Sequence, residues 1–351
     1  MSTENEFVMY QKERFQNNYD FLRVFAAVCI MFTHSFDLLD KGKYEIARVV
    51  TNGRLNFSFI GLSIFFSISG YLIAKSAERS SSIKHYLWKR LLRIQPLLIV
   101  TCLLTVLVIG AAYTNLPIRS YFFSSNTWTY FRNILPVFGL QFTLPGVFLN
   151  NVAEPGVNGS LWTLIVEERL YLLVCVLFLF HKKRLLFLVL LILPANILYL
   201  VNRFYFNSSL ITYFSTGAFF YALVFLNAAA LYFLSINFSK HLYWYLIVSA
   251  GMVFIGVRFP IFDFIYFFAI PLLINSVAQI KGIFNKTGKH GDFTYGIYVF
   301  AFPVQQMLIS SKIATKPYEL FLYSLLLVVP LAVASWHLIE KKFLKLKNLV
   351  S

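Results

Sequence analysis

The sequence predicts an all-α fold, a polytopic transmembrane helix bundle of about ten spans with both termini cytoplasmic. Three observations predict it. Of the 351 residues, 58% are hydrophobic and 13% charged, about half the charged share of a soluble domain, and the mean hydropathy is +0.68. A spanning helix needs about 20 mostly apolar residues to cross roughly 30 Å of hydrocarbon, and such windows recur along the chain. The 39 Phe and 21 Tyr suit lipid-facing and interfacial surfaces, whereas a water-soluble bundle would have to expose them. A single membrane-embedded domain over residues 1–351 is expected.

The spans are read at 21–39, 55–74, 91–113, 161–180, 185–201, 209–234, 241–257, 260–280, 294–311 and 318–339. The polar residues 1–20 lack a signal-peptide core and read as a cytoplasmic segment. Span 185–201 is short and contains Pro194, while 209–234 is long enough to tilt or to break at Gly217. Residues 114–160 form a long extracytoplasmic connection whose aromatics and prolines predict an interfacial or re-entrant element.

Charge sets the orientation. A net charge of +16 would suggest nucleic acid in a soluble chain, but these basic residues gather at helix ends and loops. Membrane lipids are therefore expected as partners and nucleic acid is not. With the termini inside, Lys and Arg favour the inner face by roughly two to one. The first outer loop, with Lys41, Lys43, Arg48 and Arg54, runs against that bias. Cys29, Cys102 and Cys175 are odd in number and embedded in apolar runs, so neither a disulfide framework nor a metal site is expected. The Asn-x-Ser/Thr tripeptides at Asn158, Asn207 and Asn237 read as chance.

Ionisable residues inside a span are costly, so each needs a partner, a wet cavity or a function. Asp20, Arg23 and His34 share the first span, where eleven residues separate Arg23 from His34. That is about three turns and roughly 16 Å of rise, which places both on nearly one helix face, His34 in the outer half. Arg90 and Arg93 are three apart at the start of the third span. They either anchor the helix at lipid phosphates or, with Arg23, hold an anionic ligand from the cytosol. Glu167 and Glu168 fall in the fourth span. Counted from its outer boundary, Glu167 lies roughly 10 Å deep, level with His34, where a carboxylate would orient an imidazole base. Glu168 is expected to pair with Arg169 or Lys182. Gly61, Ser69 and Gly70 are small residues that suit helix packing, and Ser69 could also offer a hydroxyl to a ligand.

Taken together, these segments resemble the acyltransferase-3 family of membrane O-acyltransferases across nearly the whole chain. Arg23 and His34 match its Arg-x10-His pattern, Gly61 to Leu72 its Phe-Phe-x-x-Ser-Gly stretch, and Arg90 with Arg93 its Arg-x-x-Arg signature. Trp162, Glu167 and Tyr171 fall where the family carries a Ser-Leu-Trp-like segment followed by Glu and Phe-Tyr. The stretches from Thr294 and from Ser335 are similar to its ninth-span and closing motifs. Two positions depart: Ala301 stands where many members have His, and Lys342 where Pro is common.

The resemblance implies acyl-CoA, most often acetyl-CoA, as donor and a surface or lipid-linked carbohydrate as acceptor, at a bacterial inner membrane. It implies Arg23, Arg90 and Arg93 at the CoA phosphates and His34 as base or acyl-accepting nucleophile beside Glu167. Asp20, Ser69, Trp162 and Tyr171 would support them. The physics of charges in spans would equally suit a glycan-lipid transporter or flippase, and only the motif set speaks against it.

Overall fold

The structure, a computed structural model, describes residues 17–153, 156–180, 183–202, 216–259 and 264–350. Lys12, Arg14, Lys182, Asn207 and the first parts of the predicted spans 209–234 and 260–280 lie outside these residues. Among the described residues no strand forms. The ten longest helices among the described residues are α1 (Tyr19–Asp37), α2 (Phe57–Glu78), α3 (Ile83–Tyr113), α4 (Trp162–Cys175), α5 (Arg184–Val201), α6 (Thr216–Phe233), α7 (Leu242–Arg258), α8 (Tyr266–Ala278), α9 (Thr294–Ser310) and α10 (Pro317–Lys347).

Each helix falls on one of the ten segments read as spans. By length and composition five of them, α1, α2, α3, α5 and α10, can cross a membrane, while α6, α7 and α8 are apolar but shorter. The chain is an all-helical integral membrane protein with five candidate spans among the described residues. The described residues divide into two compact units, one drawn from Met1–Ala26, Ile60–Ser80 and Leu172–Gly291, the other from Ala27–Phe59, Ser81–Tyr171 and Asp292–Ser351.

In the first unit, Tyr19, Leu22 and Ala26 of α1 pack with Ile64 and Ile68 of α2 and Ala278 of α8. The join is finished by polar side chains. The Tyr19 hydroxyl donates to Asn275 Oδ1 at 2.8 Å, and Asn18 Nδ2 donates to the Ile280 carbonyl at 2.6 Å, taking up a backbone acceptor left over at the end of α8. Gly70 lies against the Phe225 backbone of α6, where a Cβ would collide with the carbonyl, so its bareness lets two helices meet closely.

In the second unit, α9 and α10 pair through Gly296, whose missing side chain leaves room for Ser335 and Ala332. α3 is 31 residues long, about 46 Å. Near its end a π turn at Thr105–Gly110 is fitted by Tyr121, whose hydroxyl donates to the Val106 carbonyl at 2.8 Å beside Gly110.

The connection 114–161 returns into this unit. Its ends meet where Asn115 N–H donates to Gly146 O at 2.9 Å. In between, Gln95 Nε2 donates to the Ile134 carbonyl at 3.1 Å. Eighteen residues of α3 separate Gln95 from Tyr113, a rise of about 27 Å. Ile134 is therefore packed well down the length of α3. Irregular backbone inside a helix bundle must have its polar groups satisfied. Glu168 does this by accepting from Val137 N–H at 2.8 Å and from Gln95 at 3.0 Å. These are the partners of Glu168, in place of the expected Arg169, because the connection packs against α3 and brings amide donors to its level.

The loop after α1 is tied down by a buried carboxylate. Glu45 is wholly buried. Its Oε1 accepts from Thr33 Oγ1 at 3.0 Å and from Phe57 N–H at 2.6 Å, which caps the start of α2. Arg48 lies 3.6 Å from Glu45 and donates in bidentate fashion to Asp37. The hydrogen bond to Asp37 raises the Arg48 pKa further above its ordinary value. Arg48, which seemed to oppose the charge bias, is thus neutralised within its own loop.

Candidate active site

The second unit contains His34, Arg90, Arg93, Trp162, Glu167 and Tyr171, whereas Asp20, Arg23 and Ser69 belong to the first. One face of α9 orders the second group. Tyr295, Tyr298, Phe302 and Gln305 recur at spacings of three and four, so they form a single stripe along the helix. Tyr295 donates to the Ile94 carbonyl at 3.1 Å, and the Arg93 guanidinium stands 6.0 Å from its ring. Tyr298 donates to Ser160 O at 2.6 Å and meets Thr163. The Phe302 ring stands edge-on to His34 at 5.3 Å and abuts Gly159. Gln305 Nε2 donates to Met31 O at 2.9 Å and to Ser35 Oγ at 2.7 Å, holding the α1 turns beside His34.

The two arginines diverge. Arg93 donates to Asp292 at 2.6 Å and to the buried Glu340 at 3.2 Å, and Ser335 completes the Glu340 shell at 3.1 Å. Such a charge needs partners inside a helix bundle, and this one has two. Arg90 lies over two rings, 5.9 Å from Tyr86 and 5.8 Å from Tyr171. The Tyr86 hydroxyl fixes this pair by donating to the Tyr171 carbonyl at 3.2 Å. Tyr171 in turn donates through its hydroxyl to Glu167.

Glu167 therefore sits with the arginines. Gly159 and Thr163 face Phe302 and Tyr298, so α4 runs antiparallel to α9 and Glu167 comes level with Tyr295. Phe302 and His34 lie seven residues further along α9, roughly 10 Å away. The expected pairing of Glu167 with His34 is corrected by this geometry. Counting from position 161 set the level of Glu167 by sequence distance alone, whereas the contacts of Gly159 and Thr163 with α9 set it in the fold. His34 Nδ1 is buried with no hydrogen-bond partner among the described residues. Trp162 opens α4, two residues from Ser160.

The residues missed from sequence are Asp292, Glu340, the α9 stripe, Asn158 and Ser160. Glu340 carried one usable signal: a carboxylate within a closing apolar span requires a cation.

The acyltransferase domain family profile matches residues 16–339. The chain belongs to the acyltransferase-3 family. It is 30% identical over 343 residues to an O-acetyl transferase of Shigella phage Sf6, covering 93% of this chain and 96% of that one. It is also 34% identical over 167 residues to Nodulation protein 10 of Rhizobium leguminosarum bv. viciae, 45% of this chain and 42% of that protein. A third relative is the peptidoglycan O-acetyltransferase OatA of Listeria monocytogenes, 29% identical over 137 residues, 34% of this chain and 20% of that one. No solved structure gives a significant match. As an acyltransferase-3 protein the chain is a membrane-embedded acyltransferase. Of its family motifs, the Arg-x-x-Arg pair, the Glu–Tyr pair of α4 and His34 all border the α9 stripe or the side chains that touch it.

Proposed function

We propose that this protein transfers an acetyl group from acetyl-CoA to a hydroxyl of a bacterial surface or lipid-linked carbohydrate, at the inner membrane. The near full-length match to an O-acetyl transferase carries this reading. The site chemistry supports it. Arg90 offers a permanently charged planar donor set suited to the CoA phosphates. Arg93 spends two of its donors on Asp292 and Glu340, so its share is to hold α3 against α9 and α10. Glu167 positions Tyr171 and, through that ring, Arg90. For Asp20, Arg23 and Ser69 the assignment rests on the sequence pattern alone.

His34 is the reacting base. It takes the proton of the sugar hydroxyl as the O–C bond to the acyl carbon forms. The C–S bond of the thioester breaks, and the imidazolium returns the proton to the leaving thiolate. Its unpaired Nδ1 supports this role, since in the Nε2–H tautomer a neutral imidazole presents an acceptor nitrogen there.

The test is purified protein in detergent with acetyl-CoA and alkali-deacetylated surface polysaccharide. Release of CoA matched by O-acetyl ester on the sugar is expected. Absence of ester, with the protein folded, overturns the reading.

A further inference from the structure

Three buried polar atoms, on segments that meet the Phe302 ring through Gly159 and His34, lack hydrogen-bond partners among the described residues. Asn158 is wholly buried; its Nδ2 donates to the Val299 carbonyl at 3.0 Å, while Oδ1 has no partner. That bond also fixes which end of the amide is the acceptor. Ser160 is 2% exposed, and its Oγ has no partner although its carbonyl is held by Tyr298. The third is His34 Nδ1. Gly159 joins the first two and touches the ring of Phe302, since a Cβ there would stand 2.8 Å from two ring carbons. His34 lies 5.3 Å from the same ring. Native interiors rarely leave buried polar groups bare, and a cluster of them marks a place where a ligand supplies the missing bonds.

We infer that Asn158 and Ser160 form the acceptor subsite and bind a neutral polyhydroxyl group, such as the neighbouring hydroxyls of a sugar ring. The chemistry of the three atoms selects this class. Asn158 Oδ1 only accepts, so it takes a hydroxyl proton and disfavours an anionic phosphate or carboxylate. Ser160 Oγ both donates and accepts, which suits a second hydroxyl. His34 Nδ1 accepts from the hydroxyl that reacts. Asn158 and Ser160 act as positioning residues, outside the proton transfer itself. Rigid seating comes from Tyr298, which holds the Ser160 backbone, and from Gly159, which allows the ring of Phe302 to wall the subsite.

This inference rests on the acyltransferase reading, and the test separates the two. Ser160→Ala removes one hydroxyl while leaving the carbonyl that Tyr298 holds. Asn158→Leu removes the amide at similar size. For both variants and the parent protein, transfer from acetyl-CoA to deacetylated polysaccharide is measured as KM for each substrate. Binding of the polysaccharide alone is measured in parallel, with thermal melting as the folding control. The expected result is a rise in acceptor KM, and a matching loss of sugar binding, of about tenfold for Ser160→Ala, with the KM for acetyl-CoA unchanged. Should Asn158→Leu fail to fold, Ser160→Ala carries the test. Transfer with unchanged acceptor KM in Ser160→Ala overturns the subsite and leaves the acyltransferase reading standing, as does a rise confined to the donor KM. Sugar binding that weakens in Ser160→Ala, in a protein that transfers nothing, supports the subsite and overturns the acyltransferase reading.

Discussion

Arg93 and Glu340 stand 3.2 Å apart although 247 residues separate them in sequence. With Asp292 at 2.6 Å on the other arm of the guanidinium, they tie α3 to the start of α9 and to the π turn at Trp336–Glu340. Removing one member strands the others. Arg93→Ala should therefore destabilise the fold by on the order of 3 kcal/mol, read as a lowered melting temperature in detergent. Arg93→Lys should recover only part of that, because an ammonium lacks the planar fork. A melting temperature unchanged in Arg93→Ala would show that the triad holds nothing.

Arg90 makes the contrasting prediction. Its guanidinium lies over the Tyr86 and Tyr171 rings. Arg90→Ala should leave melting nearly unchanged and raise the KM for acetyl-CoA by about tenfold. If the donor KM stays at the parent value while stability falls, Arg90 is a packing cation.

Glu168 tests the packing of the 114–161 connection. Its carboxylate accepts from both Val137 N–H and Gln95. Glu168→Ala leaves these donors without their acceptor, at a cost of about 1–3 kcal/mol each. Glu168→Gln keeps an acceptor and should retain most of the stability. The check is limited proteolysis across residues 118–140 together with melting. Equal behaviour of the two variants would contradict the account.

Much of the helical layout was legible because apolar runs between polar turns mark helices whatever their partners, and each of the ten helices lies where such a run occurs. Length was less legible. α4 is 14 residues and α8 is 13 among the described residues, short of a full span. The Arg-x-x-Arg spacing correctly put two cations on one helix, but spacing says nothing of what they meet, and Asp292 and Glu340 are distant in sequence. Glu167 was displaced because depth counting assumes that the chain enters the membrane where the apolar run begins. The level of α4 is set instead by Gly159 against Phe302 and Thr163 against Tyr298, contacts distant in sequence. Asn158 was hidden for the opposite reason. Its sequence context suggests a surface loop, whereas its side chain is wholly buried against α9.

The most direct measurement of the central claim is acetyl transfer by His34→Ala, assayed beside the parent protein in the same detergent. The His34 side chain meets the Phe302 ring and its Nδ1 makes no hydrogen bond among the described residues, so its loss should leave melting and acetyl-CoA binding intact while abolishing O-acetyl ester formation. Ester formation persisting at a comparable rate in the folded variant would contradict the account.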